Sequence, residues 1–320
     1  MKYSFCRDTI FIKYKESRRA SSALLFFGTG KERNFMFGKR YDGRLVRTAS
    51  PIQKIMPYIM KTRTDSMNMF EDEIDCASLD AYIKEKAKDG IKMSYMHIMI
   101  AAMVRMIALR PQLNRFVING RIYTRPKIWV SFVVHRDLSG DSAETTIKLC
   151  FEGTETILEI ADTINEAIHR ETIAQVGPNA TDNLIDTIMN LPAPIIRLAV
   201  NILMFMDRIN LLPKAIIEAS PFHTSLFITN LKSLGINHIF HHVYEFGTTG
   251  LFLAIGKEKK NPAIESNEVI HRKTMGFGLT TDERFCDGLY FARSLRQLKK
   301  ILKNPVVLEQ PLEKKVEDVD

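Results

Sequence analysis

The segment that most constrains this chain lies near its C-terminal end, where a strand-like stretch meets a helix-like one. Residues 275–281 have β-type character, interrupted by Gly276 and Gly278, and residues 289–304 have helical spacing. Between them stands Asp-Glu-Arg-Phe-Cys-Asp-Gly, residues 282–288. This turn places three acids, Asp282, Glu283 and Asp287, within six residues of one another.

Composition indicates an ordinary folded protein with a large apolar core. The chain has 320 residues, of which 45% are hydrophobic and 26% charged. Its four cysteines stand far apart without paired spacing, which argues against a disulfide framework and against a zinc site. The first residues contain no apolar stretch that could serve as a signal peptide, so we expect a cytoplasmic protein.

The positive charge is concentrated at the N-terminal end. Residues 1–48 contain twelve Lys and Arg against four acidic residues, which equals the net charge of +8 of the whole chain. We predict a basic N-terminal extension at residues 1–50, either a solvated arm or an element that attracts an anionic partner or a membrane surface. Nucleic acid is disfavoured as a partner, because no aromatic residues alternate with the cations.

The remaining chain shows mixed helix and strand patterns without a repeat of fixed period. Arg110-Pro111 predicts a helix end, since the residue before proline disfavours the α region. Asn119-Gly120 predicts a hairpin turn. Helical spacing covers residues 51–60, 79–87, 94–109, 157–170 and 289–304. Strands are predicted at residues 67–77, 114–119, 121–124, 128–135, 145–151, 225–229, 251–255 and 275–281.

Several of these segments together resemble one family. The 283–288 turn is similar to the His-x-x-x-Asp-Gly signature of the chloramphenicol acetyltransferase and dihydrolipoyl acyltransferase superfamily, with Glu283 where that family has histidine. Phe227-Ile-Thr-Asn-Leu231 resembles the family's Thr-Ile-Ser-Asn-Leu segment, and Gly235 follows it. Further segments resemble its catalytic domain in the same order: residues 110–114, 118–122, 128–134, 147–168 and 251–256.

The resemblance implies an α/β fold, a chloramphenicol acetyltransferase-like two-layer sandwich with a mixed sheet. It also implies a homotrimer whose active sites lie between subunits, with coenzyme A or acyl-CoA as one substrate and a small-molecule acceptor as the other. By position, Thr229 is the expected oxyanion donor and Asp287 the structural acid, or simply a helix N-cap. Asn230, Gly288 and His242 are expected to line the substrate site.

Replacement of the catalytic histidine leaves the activity open. A thiol has a pKa near 8.5, a glutamate near 4.3 and a histidine near 6.5. Proton transfer from a thiol to an ordinary glutamate is therefore uphill by about four pKa units, roughly 5.7 kcal/mol. Either Glu283 is tuned by burial and neighbouring carboxylates, or His241 or His242 acts instead, or the chain is an inactive relative with a ligand-binding or assembly role.

The His238-Ile-Phe-His-His242 segment allows a metal hypothesis. In a helix its three imidazoles share one face, whereas in a strand, which the resemblance favours, only His238 and His242 do. Because no carboxylate or cysteine cluster completes a site, we predict no metal.

Residues 190–219 are a hydrophobic insertion within the predicted domain. The apolar run 195–206 is shorter than the roughly 20 residues that span a bilayer. It is a buried or trimer-interface helix, a lid over an acyl pocket, or an interfacial membrane helix.

The resulting domain prediction is an extension at 1–50, a catalytic domain at 51–307 and a charged C-terminal tail at 308–320. The extension is too short and too basic for a lipoyl domain, so no lipoyl group is expected on this chain.

Overall fold

A computed structural model describes residues 40–135, 144–173, 189–265 and 267–320. These residues belong to the unit Phe37–Asp320. Most of the predicted basic extension lies outside the described residues, so its proposed anionic or membrane partner stays a prediction.

The largest feature is a mixed sheet of six strands in the order β2-β9-β8-β7-β5-β6. The β8–β7 and β7–β5 pairs are parallel and the other three pairs are antiparallel. This confirms the predicted fold class. The strands are β2 Met67–Asp75, β5 Ile128–His135, β6 Glu144–Phe151, β7 Leu226–Asn230, β8 Leu251–Glu265 and β9 Glu268–Asp282.

Helices cover the sheet and enclose the main core. Alpha-helix α3 is buried along almost its whole length, and α4 and α7 pack against it. Ser94 begins α3 with a capping box to His97, and α3 ends at Leu109, before Arg110-Pro111, as predicted. The helices are α1 Pro51–Ile59, α2 Ala77–Lys88, α3 Tyr95–Leu109, α4 Ile157–Ile173, α5 Ala193–Arg208, α6 Lys214–Ala219 and α7 Gly288–Lys303.

A smaller sheet of three strands contains the predicted hairpin. Its order is β1-β4-β3, with β1 Arg44–Leu45, β3 Arg115–Ile118 and β4 Arg121–Thr124. Asn119 and Gly120 have φ of 49° and 72°. Two successive positive φ values are those of a type I′ turn, which confirms the hairpin signal.

Strands β8 and β9 extend well beyond their predicted limits. Patterning indicated residues 251–255 and 275–281, but each strand has 15 residues. The additional halves are rich in charged, largely exposed residues and pair mainly with each other. Apolar periodicity marks burial, so it misses the part of a strand ladder that faces solvent on both sides.

The histidine segment is neither helix nor strand, so both geometries considered for it were wrong. It crosses three glycines of β8 and β9, and a side chain on any of them would collide with it. At Gly256 a Cβ would lie 2.3 Å from His238 N, and at Gly276 it would lie 2.5 Å from His238 Nδ1. At Gly278 a Cβ would lie 2.5 Å from Ile239 O. The close approach of this segment therefore requires the glycines that interrupt the strand pattern.

The hydrophobic insertion forms α5 and α6. Apolar side chains on α5 are exposed over much of the helix, with Leu198 59% and Phe205 61% accessible. Its last turn is anchored through the buried carboxylate of Asp207, which pairs with Arg40. Within the described residues, none of the helices has the length and apolar character needed to cross a bilayer.

Residues 308–320, predicted as a charged tail, pack along the domain. Leu312 N–H donates to Thr154 O over 3.0 Å, and Val316 N–H to Ala108 O over 2.9 Å. Asp318 forms a bidentate pair with Arg115, whose Nε and Nη2 donate over 2.6 and 2.7 Å. Both side chains are almost fully buried.

Candidate functional site

A buried ion pair fixes the backbone where β9 ends. Asp282 is fully inaccessible and accepts hydrogen bonds from Arg284 Nε and Nη2 at 2.9 and 2.7 Å. Ser66 Oγ donates to the same carboxylate over 3.1 Å, and Arg63 Nη1 lies 3.9 Å away. Asp282, the first residue of the motif, therefore has a structural role and holds the backbone of Glu283 in place.

Glu283 stands next to this pair on a well-defined backbone. Its N–H donates to Ser66 O over 2.9 Å, and its carbonyl accepts from Cys286 N–H over 3.4 Å. The side chain is half-buried, and within the described part of the chain its carboxylate forms no ion pair. Glu283 is thus positioned by its main chain, and its carboxylate is not committed to an arginine.

Asp287 caps the helix that follows. It precedes α7 with extended φ/ψ, and its Oδ1 accepts from Tyr290 N–H over 2.8 Å. Gly288 begins α7, and a Cβ there would meet no atom within 4 Å. Cys286, just before the cap, is enclosed, and burial raises the pKa of its thiol. This cysteine is not an activated nucleophile.

Thr229 lies near the end of the central strand β7 and contacts a histidine. Its Oγ1 is 3.1 Å from His241 Nε2. The imidazole stacks on Phe252, with ring centroids 4.4 Å apart and 23° between planes. Burial, and secondarily the neighbouring His242, lowers the pKa of His241. The structure therefore joins the expected oxyanion donor to a neutral imidazole.

The other expected site residues have separate surroundings. Asn230 O accepts from Ser233 Oγ over 2.6 Å at the end of β7. His242 is exposed with its ring 5.1 Å from that of Tyr244, and His238 Nε2 lies 3.7 Å from Glu71 Oε2. Among the described residues, no three His, Cys, Asp or Glu side chains form a group that could hold a metal ion.

Strand register separates Glu283 from the Thr229–His241 pair. Thr229 is aligned with Ala254 of β8, which is aligned with Gly278 of β9. Glu283 is five residues further along the chain than Gly278, about 17 Å at 3.4 Å per residue, and two strand spacings, about 9.6 Å, lie between β7 and β9. Within one chain these groups therefore do not meet.

A second hydrogen-bonded group was not predicted. Ser220 Oγ lies 2.8 Å from His223 Nδ1, and His223 Nε2 lies 3.3 Å from Asp207 Oδ2. Asp207 also pairs with Arg40 over 2.8 Å. All four side chains are buried. Burial lowers the pKa of His223. Burial alone would raise the pKa of Asp207, but its hydrogen bond with His223 and the charge of Arg40 lower it to about 2.

The order Ser–His–Asp is that of a hydrolytic triad, but the serine is enclosed and also accepts a bond from Phe222 N–H over 3.3 Å. The group instead ties the last turn of α5 to the segment before β7. Sequence carried no signal for it, because Arg40 and Asp207 are 167 residues apart.

Comparison with known proteins relates this geometry to a family. Residues 222–309 match the family model for 2-oxoacid dehydrogenases acyltransferase (catalytic domain). The chain is 24% identical to the dihydrolipoyllysine-residue acetyltransferase component of the acetoin cleaving system of Bacillus subtilis over 247 aligned residues. The alignment covers 76% of this chain and 50% of that protein. The chain thus spans about half the length of this curated relative.

Solved structures show the same fold at low identity. A probable dihydrolipoamide acetyltransferase from Listeria monocytogenes aligns with TM-score 0.51 and 17% identity over 80% of this chain and 93% of that one. The cubic core of the pyruvate dehydrogenase multienzyme complex gives 0.52 and 14%, over 85% and 95% of the two chains. A chloramphenicol acetyltransferase gives 0.50 and 12%, over 81% and 99%. Residues 222–309 are therefore similar to the catalytic domain of 2-oxoacid dehydrogenase acyltransferases, and the chain has the chloramphenicol acetyltransferase-like fold.

Proposed function

We propose that this protein is an acyltransferase that moves an acyl group from a coenzyme A thioester to a small thiol, hydroxyl or amine acceptor. The observation that carries the proposal is the frame of the motif: a buried Asp282–Arg284 pair and the Asp287 cap hold Glu283, whose carboxylate forms no ion pair with any of the described residues. The family relationship supports the reaction class.

The proposed site lies between two subunits. Glu283 of one copy would face Thr229 and His241 of its neighbour, because the two sets of groups are far apart within one chain. This arrangement supports a homotrimer, in which each of three equivalent interfaces would hold one site. Asn230, His242 and Gly288 would line it.

In the proposed reaction Glu283 takes the proton of the acceptor as the acceptor attacks the thioester carbonyl. Thr229 Oγ donates to the oxyanion that forms, and collapse of the intermediate expels the coenzyme A thiolate, which receives the proton. With its proton on Nε2, His241 donates to Thr229 Oγ and leaves the threonine hydroxyl free to donate to the oxyanion.

Three substitutions test this proposal. Release of the coenzyme A thiol is followed with a panel of short acyl-CoA donors and thiol, hydroxyl and amine acceptors. We expect Glu283→Gln to abolish turnover, because the amide cannot accept the proton, and Glu283→His to preserve or raise it. Glu268→Gln, at the exposed opposite end of β9, is the control and should not change the rate.

The alternative is an inactive relative that binds a ligand or takes part in assembly. No turnover of any donor by the parent protein, together with activity gained by Glu283→His, would establish that alternative. Retained activity in Glu283→Gln combined with loss in His241→Asn would transfer the role of base to His241, whose pKa is already lowered by burial.

A further inference from the structure

A cavity of about 390 Å³ lies beside the motif. Its walls are formed by α1 and the residues after it, the β3–β4 hairpin, the last turns of α5, residues 245–247 and Arg284. We refer to it as the basic cavity. Its volume is within the range of small-molecule sites, roughly 300–1,000 Å³.

Basic residues outnumber acidic residues in the lining of the basic cavity. Four basic residues from three parts of the chain line it, against the two acids Asp207 and Glu245. The four cations are Lys61, Arg63, Arg208 and Arg284.

Both acids already have hydrogen-bonding partners within the protein. Asp207 pairs with Arg40 and His223. Glu245 Oε1 accepts from the N–H groups of Arg63 and Thr64, over 2.9 and 3.1 Å. Both carboxylates offset part of the charge of Arg63, so the excess positive charge lies with Lys61 and Arg208.

The two buried cations share one carboxylate. Arg284 takes both oxygens of Asp282, while Arg63 lies 3.9 Å from it and donates to the carbonyls of Thr249 and Gly247, each over 2.7 Å. Burial lowers the pKa of Arg63 to about 10, as expected for a cation with incomplete compensation. The exposed Lys61 and Arg208 add charge at the rim.

The rest of the lining is largely apolar. Tyr58, Val117, Met204 and Phe246 contribute side chains to the walls. We propose that the basic cavity binds an anionic small molecule with an apolar body, a carboxylic acid, whose charged group lies between the arginines and whose body contacts this apolar wall.

This site goes beyond the proposed transfer reaction and does not require it, since binding is measurable without turnover.

The test compares hexanoate with the isosteric neutral hexanamide, and with inorganic phosphate, by saturation-transfer NMR and calorimetry at low ionic strength. We expect hexanoate to bind and hexanamide to bind at least tenfold more weakly. Lys61→Gln combined with Arg208→Gln should weaken hexanoate by roughly two- to tenfold, because each exposed cation contributes modestly. Lys54→Gln combined with Arg197→Gln removes exposed cations from α1 and α5 outside the cavity, and should have no effect.

Each result decides the proposal. Phosphate that displaces hexanoate in the parent, and that binds more weakly to the Lys61 and Arg208 variant but not to the control variant, would support the anion site and show that it selects charge and not the carboxyl group. Equal binding of hexanoate and hexanamide, no binding of any anion, or equal weakening in the control variant would overturn it. Anion binding by a protein that turns over no acyl-CoA would sustain this inference and reject the proposed function.

Discussion

Among single residues, Asp282 has the largest expected structural effect. It is fully buried and bonds Arg284 and Ser66 while facing Arg63. We expect Asp282→Asn to lower the free energy of unfolding by about 3–5 kcal/mol, because it leaves buried guanidinium groups without a counter-charge. Urea denaturation measures the change, and Asp65→Asn, at an exposed position nearby, is the control. A change below about 1 kcal/mol would show that the backbone carbonyls already satisfy the arginines.

His223 gives stability a dependence on pH. Its pKa is lowered by burial, so the folded protein keeps it neutral while the unfolded chain protonates it near pH 6.5. The unfolded state then binds more protons, and stability falls as pH decreases below about 6.5. The pKa values of His97 and His241 are lowered in the same direction. Asp207 adds a second loss as pH falls from about 3.8 to about 2.

Substitution of His223 isolates its contribution to the pH dependence of stability. His223→Gln should lower stability at pH 8 but reduce the slope below pH 6.5 by up to about 1.4 kcal/mol per pH unit, the effect of one proton. Thermal unfolding between pH 5 and 8 measures it, with the exposed His169→Gln as control. An unchanged slope would mean that His223 is protonated in the folded state.

At the scale of elements, two substitutions of Asp287 distinguish its role as the cap of α7 from a role of its negative charge. Asp287→Ala should destabilise the protein by about 1 kcal/mol by removing the cap of α7, whereas Asp287→Asn should be nearly neutral in stability because asparagine caps equally well. If the charge itself also shapes the site, Asp287→Asn will lose turnover at unchanged melting temperature. Equal activity in the parent and the asparagine variant would restrict Asp287 to capping.

Features that depend on adjacent residues were predicted well from the sequence. Features that depend on residues far apart in the chain were predicted poorly. The Asn119-Gly120 turn and the helix end before Pro111 depend on a few adjacent residues, and both are confirmed. The course of the His238–His242 segment depends on three glycines in other strands, which only the fold brings to it. Of the candidate site, the Asp287 cap was predicted from the sequence, but the Asp282–Arg284 pair and the contact of Thr229 with His241 were not.

At the scale of the whole molecule, the exposed apolar face of α5 bears on assembly. Because Leu198 and Phe205 are both largely accessible in one chain, a homotrimer that covers them would lose stability on introduction of charge. We expect Leu198→Glu combined with Phe205→Glu to convert trimer to monomer in light scattering without change in far-UV circular dichroism. A parent monomer that sediments with anionic lipid vesicles would instead support the interfacial membrane helix, and an unchanged trimer would place α5 outside the interface.

A site between subunits predicts that two inactive variants restore activity to each other, which a site within one chain does not predict. If Glu283 of one subunit acts with Thr229 of the next, Glu283→Gln and Thr229→Val proteins should each be inactive alone, the latter by roughly 10²–10³-fold through loss of the oxyanion donor. Trimers assembled at random from an equal mixture contain a complete site wherever an intact Glu283 meets an intact Thr229, which is about a quarter of all interfaces. Coexpression should therefore restore about a quarter of the parent rate, and coexpression of the double variant with either single variant should restore none. A mixture as inactive as its parts would place both groups in the same chain's site or remove one of them from the chemistry.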